Sequence, residues 1–274
     1  MDNSIIDSSN NQLKTATKFL NVTVAFWFLV AVLGQWIFAY YIAVAYGGSA
    51  IEGNLEKWDE VLYFGFIEGD WIGNFILVAH IFLAFVITVG GPIQLIPQLR
   101  NRALTFHRWN GRVYVLTAFL ISLAGLYLVT VRGVIGGFYM QMGNTLNASL
   151  IMTFAALTLR TAMNRDFIAH RRWAIRMFLM VNGVWFFRIG FGLWIFLNGG
   201  TAPGSTESFQ GPFDVFLAFG HSLIPLFCGE LYFLAKEKES IVGRYLMAGF
   251  LIILAIGTGL GIFMAANIFW LDSF

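Results

Sequence analysis

Charge is what this chain of 274 residues has least of: Asp, Glu, Lys and Arg together make up 12% of it. A water-soluble domain carries about 25%, and so small a share cannot cover a chain of this length in water. Soluble globular, disordered and nucleic-acid-binding classes are excluded on that ground. Cysteine is nearly absent as well. The single Cys228 rules out an internal disulfide and any thiolate cage around zinc or an iron–sulfur cluster. The apolar–polar alternation of an outer-membrane barrel is missing. So are a zinc-protease HExxH, a phosphate loop and a Ser–His–Asp pattern.

What is abundant is apolar: 58% of the residues are hydrophobic and 29 are Phe. Seven apolar stretches, at about 19–46, 71–97, 113–131, 144–163, 173–197, 213–235 and 245–271, reach the roughly 20 residues that cross a bilayer. The fold class expected is therefore all-α: a polytopic bundle of seven transmembrane helices, with residues 1–18 as a cytoplasmic tail and 19–274 as one membrane domain. The first run is longer than a signal-peptide core and lacks a small-residue cleavage site, so it is expected to stay as a helix. Gly257-x-Gly259-x-Gly261 lies inside the last run and reads as a close helix-packing face.

The few charges are sorted. Lys14, Lys18, Arg100, Arg102, Arg108, Arg112, Arg160, Arg165, Arg171, Arg172, Arg176, Lys236, Lys238 and Arg244 fall on one side of the seven spans. Lys57 and Arg132 fall on the other, and Arg188 lies within a span. The positive-inside rule then makes the N-terminus cytoplasmic and the C-terminus external, as expected of a protein of the cell inner membrane. Gly47-Gly48, Gly136-Gly137 and Gly199-Gly200 read as external turns.

A short repeat stands at the basic rim. Asn101-Arg102-x4-His107-Arg108 recurs 63 residues later as Asn164-Arg165-x4-His170-Arg171, each followed by a Trp (Trp109, Trp173) and an Arg (Arg112, Arg176). Spans two–three and four–five thus read as duplicated hairpins. Arg and Trp at such a rim serve as headgroup anchors. The repeated His points further, to a pocket for an anion or for cofactor carboxylates.

The chain holds four histidines, His80, His107, His170 and His221. Helical rise places His80 about 13 Å and His221 about 12 Å below the outer end of their spans, while His107 and His170 share the inner end. Two layers of two imidazoles are what a two-haem b-type cytochrome requires. In that reading haem b is held by His80/His221 and His107/His170, with Arg108, Arg112, Arg171, Arg172 and Arg176 pairing the inner propionates. Small residues one turn past three of the ligands (Ala84, Gly111, Ala174) would leave room for the macrocycle. Gln35, Asn21, Gln94, Arg188, Asp214 and Glu230 are the other polar groups within spans. Arg188 must face the bundle or a water-filled cavity, and Asp214 is its expected partner.

The stretch from about His80 to Phe196 resembles a widespread bacterial family of multi-pass membrane proteins of unknown function. The resemblance rests on Gly90-Gly91-Pro92-Ile93-Gln94, Leu99-Arg100-Asn101-Arg102, His107-Arg108-Trp109-Asn110-Gly111-Arg112-Val113-Tyr114 and His170-Arg171-Arg172-Trp173-Ala174-Ile175-Arg176. It implies that these positions form a common core and supplies no activity. In architecture the chain is similar to cytochrome b561-type proteins, although the ligands here would come from spans two, three, five and six rather than from four successive helices. Two readings stay open. One is a membrane oxidoreductase moving electrons through haem b, with a quinone or another membrane redox partner. The other is a transporter, or an accessory subunit of a larger membrane complex, binding anions or lipid headgroups at the inner His-Arg motifs.

Overall fold

A computed structural model describes residues 3–60, 62 and 64–271. Residues 1, 2 and 272–274, at the ends of the expected tail and membrane domain, lie outside the described residues. Among the described residues there is no strand. In lipid a backbone must satisfy its own polar groups, which leaves the helix as the only answer for runs this apolar.

Helix α1 (Asn3–Tyr41) continues through a π-helical stretch, Ile42–Gly48, into the short α2 (Ser49–Ile51). Residues 3–18 of the expected tail are thus its first turns. Gly47-Gly48 is helical too, and the turn falls later, at Gly53 with its φ of +72°. After a 3₁₀ turn (Leu55–Glu60) come α3 (Trp71–Leu95), α4 (Pro97–Arg102), α5 (Leu104–Tyr127) and α6 (Gly137–Met163). Then follow α7 (Phe167–Val181), α8 (Gly183–Leu197), α9 (Pro212–Glu237) and α10 (Ile241–Ala265), the last ending in a π-helical turn, Ala266–Trp270. Side-chain caps start three of these helices: Asp70 accepts from the Gly73 amide, Asp166 from Ala169 and Ser240 from Gly243.

The stretch expected as a single fifth span is broken. α7 and α8 meet at Asn182 with a bend of 58°. The halves serve different main neighbours, since α7 lies on α6 whereas α8 packs on α10, and both touch α9. Side chains repair the interrupted ladder: Asn147 of α6 donates to the Met180 carbonyl (3.0 Å) and Asn182 to that of Phe178 (2.7 Å). Borrowed partners of this kind make a kink tolerable in a membrane.

The helices form a closed circuit. α1 packs on α10, α10 on α8, α8 on α9, α9 on α6, α6 on α5, α5 on α3, and α3 back on α1. α1 and α10 run parallel, because Arg244 donates to the Thr17 hydroxyl at one end (2.6 Å) and Phe38 meets Trp270 at the other (ring centroids 5.3 Å apart). Parallel first and last spans demand an odd number of crossings, so α7 and α8 together count as one and the total is seven.

Of the four buried clusters among the described residues, two are large. An aromatic one in the outer half includes Phe38, Tyr41, Tyr46, Trp58, Trp185 and Trp270. The other joins Ile87, Tyr114, Ala118, Phe154 and Met177–Met180 toward the inner half. At the outer end Arg132, 3% exposed, ties down the first loop: it donates to Asp70, to the Gly65 carbonyl (2.8 Å) and to Asn74 (2.6 Å).

Candidate functional site at the inner histidine pair

The first His-Arg motif is locked to the helix before it. Gln94 donates to the His107 carbonyl (2.9 Å) and Asn110 to the Gly90 carbonyl (3.2 Å). A Cβ on Gly91 would meet the Tyr114 ring at 3.0 Å, so this glycine lets the ring pass. The Gly90–Gln94 and His107–Tyr114 motifs are therefore two sides of one α3–α5 contact. The space beside Gly111, expected to admit a macrocycle, holds the Gln94 amide.

The second copy keeps the geometry of the first. His107 and His170 are each the fourth residue of their helix. Arg112 lies 4.8 Å over the Trp109 ring, and Arg176 lies 4.5 Å over Trp173. Such cation–π stacks at i, i+3 are the physical content of the repeat. The copies differ in their partners. Arg176 makes two charge-assisted bonds to Glu230 (2.6 and 2.8 Å), and Arg172 pairs with Glu237. Glu230 thus lies in an ion pair at the rim. Arg108, Arg112 and Arg171 form no ion pair among the described residues.

The inner histidines stand at the same rim. His107 is within electrostatic reach of both His170 and Arg100. His170 Nδ1 lies 3.0 Å from the Thr158 carbonyl of α6. A carbonyl only accepts, so Nδ1 carries the proton and Nε2 of the neutral ring keeps its lone pair. A backbone carbonyl holding Nδ1–H is how proteins orient an imidazole that ligates through Nε2. His221 is held in the same way, with Nδ1 3.1 Å from the Leu217 carbonyl and its ring edge-on to Phe187 at 6.0 Å.

The outer histidines have separate surroundings. His80 lies against α5, beside Gly125, with its buried Nδ1 unpartnered, whereas His221 faces α8. α3 packs on α1 and α5, and α9 on α6, α7, α8 and α10. Among the described residues no group of three or more His, Cys, Asp or Glu gathers into a metal cage. A bis-imidazole haem requires only two such residues.

Asp214 is not the partner of Arg188. Its carboxylate takes Ser205 Oγ (2.6 Å) and the amides of Thr206 (3.0 Å) and Gly211 (2.9 Å), folding the 198–212 loop onto the start of α9. Arg188 instead lies over the Phe38 ring (5.0 Å) and the Tyr41 ring (5.6 Å). Asn147 escaped the sequence reading, though it also bonds Ser222 of α9 at 2.7 Å and so joins three spans. The one local signal for the break was Asn182-Gly183 inside an apolar run.

Neither a curated protein nor a solved structure matches the chain. Residues 77–207, just under half of the chain, match a family described as a predicted membrane protein (DUF2306), and it is this family of unknown function that the two His-Arg motifs resemble.

Proposed function

We propose that this multi-pass membrane protein is an electron carrier of the b-type cytochrome kind, with a haem b held at the inner rim by His107 and His170. The observation that supports this reading most is the orientation of His170 through Nδ1 by Thr158, with His107 of α5 within its electrostatic reach at the same rim. The residues present fit one such group. The imidazoles would supply the ligating nitrogens, and Arg108 and Arg171, free of acidic partners among the described residues, suit carboxylates at the rim. Arg172 and Arg176 are engaged by Glu237 and Glu230 and would hold the site in place rather than bind propionates. When bound, the haem would supply one-electron chemistry. His80 and His221 remain candidates for a second group in the outer half.

Protein purified in mild detergent from cells supplied with haem is expected to show a b-type spectrum that sharpens with dithionite. His107→Ala and His170→Ala should each abolish that signal. Colourless wild-type protein, negative in a pyridine haemochromogen assay, would overturn the reading.

The broken α7–α8 span favours a second reading. Helices interrupted within the membrane line the substrate sites of many transporters. Here the break carries buried polar groups, Asn147, Asn182 and Ser222. If the protein is colourless, uptake of anionic solutes into proteoliposomes, with Asn147→Leu as control, tests this alternative.

A further inference from the structure

In the outer half, away from the inner histidines, buried polar atoms without partners collect in one place. Nine such atoms occur among the described residues: Gln35 Nε2 and Oε1, His80 Nδ1, Tyr114 Oη, Thr158 Oγ1, Trp185 Nε1, one terminal nitrogen of Arg188, Arg244 Nε and Trp270 Nε1. Those of Gln35, Trp185, Arg188 and Trp270, five of the nine, belong to a single aromatic nest. Gln35 and Trp270 are 0% exposed and Trp185 1%.

Contacts tie these residues together. Phe38, one turn beyond Gln35 on α1, touches Trp270 (5.3 Å between centroids), and the Arg188 guanidinium lies over Phe38 and Tyr41. Trp185 stands one turn before Arg188 on α8, and its ring would contact a Cβ on Gly34, the neighbour of Gln35, at 3.0 Å. Three spans, α1, α8 and α10 with its π-helical turn, thus contribute to one packed cluster.

The donor set specifies what it lacks. Arg188, Trp185, Trp270 and the Gln35 amide all offer N–H, while Gln35 Oε1 is the only unpartnered acceptor among the four. Arg188 is always protonated and forms no ion pair among the described residues. One terminal nitrogen of this partly exposed cation is buried without a partner; the guanidinium otherwise meets the Tyr46 hydroxyl and the faces of Phe38 and Tyr41, which offset its desolvation only in part. Water could satisfy the N–H groups but not the charge. A planar anion that accepts from this guanidinium nitrogen and two indoles satisfies both. We infer that this nest binds the carboxylate of a single monoanionic molecule, presented to Arg188 between the aromatic walls. Two sources share this chemistry, a long-chain carboxylate from the bilayer and a short organic acid from the external water.

Equilibrium binding to the purified full chain in detergent tests this, with radiolabelled decanoate, radiolabelled acetate and chloride as probes. Saturable binding of about one carboxylate per chain is expected, weakened at least tenfold in Arg188→Gln and several-fold in Trp270→Phe, which keeps the ring but removes the N–H. Decanoate binding without acetate binding assigns the ligand to the bilayer; acetate binding assigns it to the aqueous side. If Arg188→Gln fails to fold, Trp270→Phe and Gln35→Leu carry the decision. No saturable carboxylate binding, binding of chloride alone, or carboxylate binding that survives in every folded variant overturns the proposal.

Discussion

Asp70 shows how a single carboxylate anchors the outer face. It caps α3 through the Gly73 amide and receives the Arg132 guanidinium, and these two contacts, in that order, hold its carboxyl below the ordinary value of 3.8. A folded-state value below the unfolded one means the stabilisation is complete above that ordinary value and is lost as pH falls through the lower, folded one. Asp70→Asn should therefore lower the thermal midpoint in detergent at pH 7, and the gap to wild type should close below about pH 4. Asn147 works in a different medium. Buried between α6, the α7–α8 break and α9, it bonds the Met180 carbonyl and the Ser222 hydroxyl. Asn147→Leu removes both bonds and leaves the buried Ser222 hydroxyl without this partner, at a cost of roughly 1–3 kcal/mol, visible as a lower denaturation midpoint. Residue type alone announced Arg188 as an expensive group. Its neighbours come from α1, so its true environment was a property of the fold.

At the scale of elements, backbone approach decides where helices meet. Gly261 lies against the Ile189 backbone, and a Cβ on Gly192 would meet the Gly261 carbonyl at 2.9 Å, so α8 and α10 cross through facing glycines. Gly249, on the same α10, has nothing within 4 Å of an added Cβ. Gly261→Leu should destabilise the protein by roughly 1–3 kcal/mol through overpacking. Gly249→Ala should be neutral or stabilising by up to about 1 kcal/mol. Denaturation of both variants in detergent checks the contrast. The spans were legible because hydropathy is a local property: all seven stretches became helices, with ends displaced by several residues. The break at Asn182 was hidden because its compensation sits on another helix, at Asn147. The His-Arg repeat was legible as spacing, and its Trp–Arg stacks follow from that spacing. The acidic partners of Arg172 and Arg176 lie on α9 and could not be read from either copy.

For the whole molecule, seven crossings put the ends of the chain on opposite sides. By the positive-inside rule the excess of Lys and Arg at the rim of α4, α5 and α7 is expected on the cytoplasmic side. A reporter that is active only outside the cytoplasm should work at the C-terminus and be silent at the N-terminus. Activity at both ends would mean an even number of crossings.

The circuit closes only through α1 and α10, where Arg244 reaches Thr17 across 227 residues of chain. During synthesis α1 enters the bilayer before α8 and α10, with the Gln35–Phe38–Tyr41 face that they will later cover still open to lipid or to a bystander helix. Domains form from the N-terminus as the chain emerges, yet this one has no finished edge until its last helix arrives. A nascent chain stalled before α10 therefore leaves two complementary faces exposed, on α1 and on α8, and is the form most exposed to membrane chaperones and proteases.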